Sequence, residues 1–254
     1  MEKEKADAYV RLVRTVKEKY TTGKCSPGKL KLSWCDLVPG EDLCREINLW
    51  TYWQGFDYAK KTPHIRYMLI GQDFGPPERE ALKGTIWNVR KMNDGQNVMF
   101  HDGVKMDSRD SYTDRELTRF FRFLGYDDIE HRKYDDLFFT NCCLGYRTGN
   151  YSGNMTVKQL SDDTNMLKAL IDLMQPDNVI CLGKNTAVTV LRTLVDRYFK
   201  GKNVSEIIGD GTPYQYGCIR VFPVAHPGYW GMRARGREQA DKDWKRIAEW
   251  NNRR

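Results

Sequence analysis

The chain has 254 residues and a formal net charge of +7, and its 40% hydrophobic content is that of a folded protein, which excludes a disordered chain. No run of about 18 apolar residues is present to cross a membrane, and the charged start, residues 1–5, lacks the apolar core of a secretion signal. We therefore expect a cytoplasmic protein that does not associate with membranes and whose positive charge suits an anionic partner.

The seven cysteines are expected to be reduced thiols, most of them buried as small hydrophobic residues. Cys25, Cys35 and Cys44 are widely spaced, and the sequence has no close C-x-x-C pair of the kind that binds zinc or an iron–sulfur cluster. We therefore predict neither a metal site nor a cofactor.

Short apolar runs alternate with helical patterns along the whole chain. Strands are predicted at 65–70, 137–142, 179–182 and 219–225, and helices at 6–19, 42–59, 113–124, 160–174, 186–199 and 235–250. Continuous rather than alternating hydrophobicity indicates strands that are covered on both faces, as in a parallel sheet. The polar residues 94–109 are expected to form a long loop. No Pro/Gly/Ser-rich linker divides the chain, so we predict one α/β domain over residues 1–254, with a helical N-terminal extension of about residues 1–63.

Two of the loops that follow predicted strands carry a carboxylate and an imidazole. Asp73 lies in Gly71-Gln72-Asp73-Phe74-Gly75, and His226 lies in His226-Pro227-Gly228. Ligands of α/β folds bind at the carboxyl ends of the strands, so the two side chains are expected at one edge of the sheet. Asp73 could orient a water or stabilise a cation, and His226 could donate to an oxygen that gains charge. Asp73 could instead be a turn aspartate that caps its own loop, and His226 could be a histidine satisfied by a neighbouring backbone group.

Two further strand ends carry polar residues. Asn141 ends the second strand, and its side-chain amide offers a donor and an acceptor that suit a pyrimidine edge. Lys184, Asn185 and Thr186 follow the third strand after Gly183 and open a helix, where backbone N–H groups, the lysine and the threonine hydroxyl could hold a phosphate. Both patterns also occur in turns that are only structural.

The segment 228–237 is predicted to be a surface loop that mixes large apolar residues with arginines. Apolar tips beside arginines suit a wedge that enters a DNA duplex while the arginines hold phosphates. The alternative is a loop whose aromatic side chains fold back onto the core. Trp244, Ile247 and Trp250 have helical spacing and are predicted to pack in the core. The residues expected to contact DNA are Tyr229, Trp230, Met232, Arg233 and Arg235, with Arg237 beside them.

In this order the motifs resemble those of the uracil-DNA glycosylase superfamily. Gly71-Gln72-Asp73 matches the start of its G-Q-D-P-Y-H motif, with Phe74 in place of proline and Gly75 in place of tyrosine. His226-Pro227 matches the start of H-P-S, with Gly228 in place of serine. Residues 139–141 resemble the strand that ends in the base-reading asparagine, and the resemblance extends over about residues 65–250.

The resemblance implies a three-layer α/β/α sandwich around a four-stranded parallel sheet, and a role for each matched residue. Asp73 would position water and stabilise an oxocarbenium-like sugar, His226 would stabilise charge on the departing base, and Asn141 would read the base edge. The backbone of Gln72 would contact the base, and Trp230 would take the place of the intercalating leucine, with Met232 as a substitute. The base-binding set would also include Phe74, Gly75 and the stacking candidate Trp87.

The resulting expectation is a monomeric, monofunctional DNA glycosylase that acts on double- or single-stranded DNA. Because Gly75 replaces the tyrosine that blocks C5-substituted bases in one branch of the family, the substrate is either uracil or a bulkier C5-modified pyrimidine. The role would be base-excision repair or defence against phage DNA with modified bases. Two other functions stay open, namely a non-catalytic DNA-binding module on the same fold and an unrelated α/β hydrolase.

Overall fold

A computed structural model of the protein describes residues 2–21, 32–33, 64–73, 112–127, 129, 134–147 and 155–252. The helices are α1 (Glu2–Thr21), α2 (Tyr112–Phe123), α3 (Val157–Leu160), α4 (Thr164–Met174), α5 (Lys184–Val195), α6 (Val204–Ile208), α7 (Tyr229–Arg235) and α8 (Arg237–Asn251). The strands are β1 (Leu32–Ser33), β2 (Tyr67–Gly71), β3 (Leu137–Asn141), β4 (Tyr146–Arg147), β5 (Asn178–Leu182), β6 (Tyr214–Tyr216) and β7 (Ile219–Val224). A 3-10 turn, Ser161–Asp163, joins α3 to α4.

The main sheet has the strand order β3-β2-β5-β7-β6, and a separate antiparallel pair is formed by β1 and β4. The four predicted strands are all present and parallel to their neighbours, which confirms the prediction of an α/β fold with a largely parallel sheet. The predicted number of strands is wrong, because β6 adds a fifth, antiparallel strand beside β7. Its three residues are only partly buried, so no apolar run marks it in the sequence.

Each face of the main sheet packs in its own core cluster. Strand side chains alternate between the two clusters, as the pleat requires, so that Phe138 and Val179 belong to one cluster and Phe139 and Ile180 to the other. The first cluster includes residues of α1, α4 and α5, and the second includes residues of α2 and α8. Burial on both faces is the physical reason that the strands read as continuous apolar runs.

The N-terminal helix α1 is longer than predicted and belongs to the core. Tyr9, Val13, Val16 and Tyr20 recur at helical spacing and are all buried in the first cluster. The predicted helix at 42–59 and the predicted loop at 94–109 lie outside the described residues. Within the described ranges, no helix has the length and apolarity needed to cross a membrane.

The C-terminal region differs most from the prediction. Residues 228–237 do not form a loop, because Tyr229–Arg235 is a short helix. Gly236 has a φ of +80°, which interrupts the helical path and separates α7 from α8. The core assignment is confirmed for Trp244 and Ile247, which are buried, and Trp250 packs partly buried against the same cluster.

Candidate active site at the carboxyl edge of the sheet

The carboxyl ends of the four parallel strands bring the predicted site residues to one edge. Gly71 pairs in register with Asn141, so the Gln72-Asp73 turn starts beside the base-reading candidate. On the other side of β5, the Gly183 N–H donates to the Val224 carbonyl at 2.8 Å, which places the start of α5 next to the segment leading to His226. The sheet therefore gathers segments that are up to 155 residues apart in sequence at this edge.

A cleft of about 290 Å³ opens at this edge. That volume is close to the lower end of the range for small-molecule sites, roughly 300–1,000 Å³. Gln72 and His226 line it together with the start of α5; among the described residues, the lining consists of Gln72, Leu182, Gly183, Lys184, Asn185, Thr186 and His226. Asp73 directly follows the lining residue Gln72, and Asn141 pairs in register with Gly71, the residue before Gln72. Neither Asp73 nor Asn141 is part of the lining.

The Asp73 carboxylate is half-buried and oriented by its neighbour. The Gln72 side-chain amide donates to Asp73 Oδ1 at 2.8 Å, and this hydrogen bond restricts the rotation of the carboxylate. The charge of Asp73 also acts on the His226 imidazole, so the two side chains share one electrostatic environment.

His226 has a hydrogen bond that assigns its tautomer. The Gly228 N–H donates to His226 Nδ1 at 2.9 Å, so Nδ1 is an acceptor and the ring proton of the neutral form lies on Nε2. Burial among protein atoms lowers the pKa of His226, and the negative charge of Asp73 opposes that effect only in part. The side chain is nevertheless accessible to solvent. His226 is thus surrounded by many protein atoms while its ring stays accessible to solvent, as expected for a residue at the bottom of a cleft.

Glycines allow the chain to close around His226. A Cβ at Gly228 would lie only 2.8 Å from His226 Nδ1 and 3.2 Å from the Thr113 hydroxyl of α2. A Cβ at Gly231 would overlap the His226 carbonyl oxygen, so α7 packs on this backbone only because position 231 is glycine. Gly228, a departure from H-P-S, is thus required by the local packing in this chain.

Asn141 is almost fully buried, with 6% of its surface exposed, and lies over the backbone of β2. A Cβ at Gly71 would overlap its Oδ1, so the glycine makes room for the amide. Beyond Asn141 the Cys142 N–H donates to the Gly71 carbonyl at 2.9 Å and the Cys143 N–H to the Gln72 carbonyl at 3.0 Å. These bonds hold the end of β3 against the turn that carries Asp73.

The three phosphate-binding candidates at the start of α5 differ from one another. Lys184 is exposed at the mouth of the cleft. The Asn185 side chain donates to the Met155 carbonyl at 2.8 Å, and Thr186 is 1% exposed. Lys184 and the first N–H groups of α5 are therefore better placed for a phosphate than the side chains of Asn185 and Thr186.

Helix α7 presents two large aromatic side chains beside His226. Tyr229 is 53% exposed and Trp230 is 74% exposed, their ring centroids are 5.1 Å apart, and the Arg233 guanidinium lies 5.8 Å from the Trp230 ring. Met232 is 4% exposed in the core, and Arg235 makes two hydrogen bonds to the buried Asp243 at 2.7 and 2.8 Å. The side chains of Met232 and Arg235 therefore hold α7 to the protein, and the expectation that they contact DNA stays a prediction.

The structure adds residues of α2 to this surface that sequence reasoning missed. The Tyr112 ring contacts Tyr229 edge-on at 5.9 Å, and the Arg115 guanidinium lies 5.7 Å from the Tyr112 ring. In the sequence this region is only part of the helix predicted at 113–124, and that pattern gives no sign of a tertiary contact with α7. Arg237 is exposed near Glu116 of α2, with 3.5 Å between the charged groups. The base-binding candidates Phe74, Gly75 and Trp87 lie outside the described residues.

No protein-family model matches the chain, and no curated protein matches it in sequence.

Proposed function

We propose that the protein is a DNA glycosylase of the uracil-DNA glycosylase superfamily, which hydrolyses the N-glycosidic bond of a flipped-out pyrimidine and leaves an abasic site. One observation carries the proposal. A half-buried carboxylate, Asp73, directly follows the cleft residue Gln72, and its charge acts on His226, a neutral imidazole of the cleft lining with its proton on Nε2. Breaking the bond to a pyrimidine produces charge of both signs, and this pair offers a group for each.

The two residues act on opposite sides of the breaking bond. As the C1′–N bond lengthens, the sugar becomes cationic and the electron pair moves onto the base. The negative charge of Asp73 stabilises the sugar and orients a water whose oxygen bonds to C1′. His226 Nε2–H donates to the base oxygen that carries the new negative charge. The proton released by the water returns to the departing base, and no metal or cofactor enters the reaction.

The remaining strand ends supply recognition. The amide of Asn141 suits the hydrogen-bonding edge of a pyrimidine, and the Gln72 backbone lies next to it across β2 and β3. Lys184 and the N–H groups that begin α5 suit a phosphate next to the flipped nucleotide. Uracil and a bulkier C5-modified pyrimidine are the two substrate candidates, as the substitution at Gly75 leads us to expect.

The aromatic surface of α7 would face the DNA. Trp230 is the candidate for the side chain that fills the gap left by the extruded nucleotide, with Tyr229 beside it and Arg233 near the phosphates. The proposal includes a monomeric cytoplasmic enzyme with a three-layer α/β/α domain, in which β6 is an addition to the four parallel strands of the family.

An excision assay tests the proposal. The full chain is incubated with single- and double-stranded oligonucleotides that contain uracil, hypoxanthine, or hydroxymethylated or glycosylated cytosine, and alkali reveals abasic sites. We expect cleavage at one pyrimidine; release of uracil supports a repair role, and release of only a modified cytosine supports phage defence. DNA binding without any abasic product would instead indicate a non-catalytic module. Activity on free nucleosides without salt-dependent DNA affinity would indicate an unrelated hydrolase.

A further inference from the structure

A buried polar cluster joins the N-terminal helix to the segment that follows Asn141. The Asp163 carboxylate, 2% exposed, accepts hydrogen bonds from Lys19 Nζ at 2.6 Å, from the Tyr20 hydroxyl, and from the Leu144 backbone N–H at 2.8 Å. A buried carboxylate is tolerated only when it is paired and hydrogen-bonded. Here two of the three donors are consecutive residues of α1, which the superfamily motifs do not cover.

The cluster is connected to the candidate active site by a short path. Leu144 is the third residue after Asn141. The two residues between them, Cys142 and Cys143, donate backbone hydrogen bonds to the carbonyls of Gly71 and Gln72. Gln72 in turn donates to Asp73. Asp163 therefore fixes one end of a hydrogen-bonded segment whose other end holds both the base-reading amide and the catalytic turn.

The Tyr20 side chain is buried and closely packed, with 3% of its surface exposed. A Cβ at Gly145 would overlap its ring, and its hydroxyl lies 3.8 Å from Cys143 Sγ as well as against Asp163. Burial raises the pKa of Tyr20, so the hydroxyl stays protonated and acts as a donor to Asp163. Burial also lowers the pKa of Lys19, but the charges and hydrogen bonds of Asp163 and Asp162 together outweigh it and raise the pKa above its ordinary value. Both donors are therefore in the correct protonation state at neutral pH.

We infer that Asp163, held by Lys19 and Tyr20 of α1, is a positioning residue that sets the place of Asn141 and of the Gln72-Asp73 turn. This inference rests on the proposed function. It makes α1 a part of the active-site scaffold, because two of its side chains set the geometry of the carboxylate that fixes the end of β3.

The chain contains a matched control for this cluster. Lys168, Asp172 and Tyr216 form the same combination of side chains: Tyr216 donates to Asp172 at 2.7 Å and Lys168 donates to Asp172 at 2.6 Å. This second cluster is less buried, with Asp172 exposed and Lys168 and Tyr216 only partly buried, and it connects α4 to the edge strand β6, away from the cleft. The Asp163 and Asp172 clusters therefore contain the same types of side chain. They differ in burial and in whether they are hydrogen-bonded to a segment of the candidate active site.

The first experiment compares Tyr20→Phe with Tyr216→Phe in the excision assay. For Tyr20→Phe we expect kcat to fall about tenfold with KM nearly unchanged, because a small misplacement of catalytic groups lowers the rate of the bound complex. Tyr216→Phe should leave both constants unchanged. An unchanged kcat in a folded Tyr20→Phe variant would overturn the inference, as would an equal loss in Tyr216→Phe.

A second pair of variants separates positioning from general stability. Lys19→Arg keeps a cation for Asp163 and should retain most of the activity, whereas Lys19→Met removes the charge and should lower kcat as Tyr20→Phe does. Loss of activity in proportion to melting temperature across all four variants would indicate a merely structural role and contradict the inference.

Amide hydrogen exchange distinguishes failure of this inference from failure of the proposed function. In Tyr20→Phe the Leu144 amide should exchange faster and the Asn141 side-chain amide resonance should shift, whether or not the protein excises a base. If the wild-type protein excises nothing but these amides respond, the proposed function fails and the positioning path stands. If the amides do not respond, the inference fails even when excision is observed.

Discussion

The main sheet carries polar side chains both at its amino edge, where the parallel strands begin, and at its carboxyl edge, where they end. The side chains at these two edges have different partners. At the amino edge, Arg220 donates to the Trp250 carbonyl at 2.7 Å and Asn178 donates to the Arg66 carbonyl at 2.9 Å. The end of α8 lies over this edge, since Asn251 accepts from both side chains. At the carboxyl edge, Gln72 and His226 line a cleft.

The difference shows which polar groups are available for chemistry. Groups at the amino edge bond to backbone carbonyls of neighbouring segments, so their hydrogen bonds stabilise the fold. At the carboxyl edge the hydrogen bonds fix orientation: Gly228 occupies Nδ1 of His226 and leaves the Nε2 proton as a donor. Substitutions at the two edges should therefore affect different measurements.

The largest effect on excision is expected from Asp73→Asn. The amide keeps an oxygen for the Gln72 hydrogen bond but removes the negative charge, so the rate should fall on the order of 10³-fold or more while DNA binding changes little. Single-turnover excision and a binding titration measure the two quantities. Asp136→Asn is the control at the amino edge, where the carboxylate accepts from the Tyr126 hydroxyl at 2.6 Å, and it should keep the wild-type rate. Near wild-type turnover in Asp73→Asn would reject the mechanism.

The pH dependence of excision should reflect the lowered pKa of His226. The ordinary value is 6.5, at which half of the rings would be protonated. Because burial lowers the pKa, most rings stay neutral at that pH, and protonation should reduce the rate only at more acidic pH. A pH–rate profile under single-turnover conditions tests this expectation.

His226→Gln provides the control for the pH profile. Its amide retains an N–H donor but does not titrate, so any acid limb caused by the imidazole should disappear from the profile of the variant. An acid limb in the wild-type protein that is centred above pH 6.5 and absent from His226→Gln would contradict the environment described for His226.

A smaller and substrate-dependent effect is expected from Trp230→Ala. Loss of an aromatic ring that stacks in the DNA should lower kcat/KM on duplex substrate by about tenfold, within the range of about 1–3 kcal/mol per stacked base. Single-stranded substrate should be affected less, because extrusion leaves no paired gap to fill. Tyr198→Ala is the matched control: its ring is 67% exposed with an arginine, Arg192, 5.2 Å from its centroid. Equal losses in the two variants would mean that Trp230 has no special role.

The fold was largely predictable because strands that are buried on both faces of the sheet have continuous apolar sequences. The four apolar runs coincide with parallel strands, and their order along the sheet brings Asp73, Asn141 and His226 to one edge. The strand β6 was not predictable, because a short edge strand needs no apolar run. Gly228 read as a departure from a motif, and only the structure shows that it lies against His226.

The α7 region shows where residue type alone misleads. Trp230 was the predicted wedge and Met232 its substitute. Two positions along a helix correspond to about 200° of rotation, so the Trp230 side chain is exposed and the Met232 side chain is buried. Arg235 was predicted to contact a phosphate. In the structure it donates to Asp243, which lies eight residues later on the next helix. Such pairings depend on where Gly236 turns the chain, which the hydrophobic pattern does not encode.

The smallest effect on excision is expected at the amino edge, from Arg220→Met. Methionine retains much of the aliphatic bulk but removes the charged donor to the Trp250 carbonyl, so the free energy of unfolding should fall by about 2 kcal/mol. Excision by the folded variant should equal that of the wild type, because Arg220 lies at the opposite end of β7 from His226. Urea denaturation and the excision assay on the same preparation measure both, with the exposed Arg197→Met as the control for loss of charge. A rate loss in Arg220→Met without a matching loss of stability would mean that the two edges are coupled through β7, and that the amino edge contributes to the chemistry as well as to the fold.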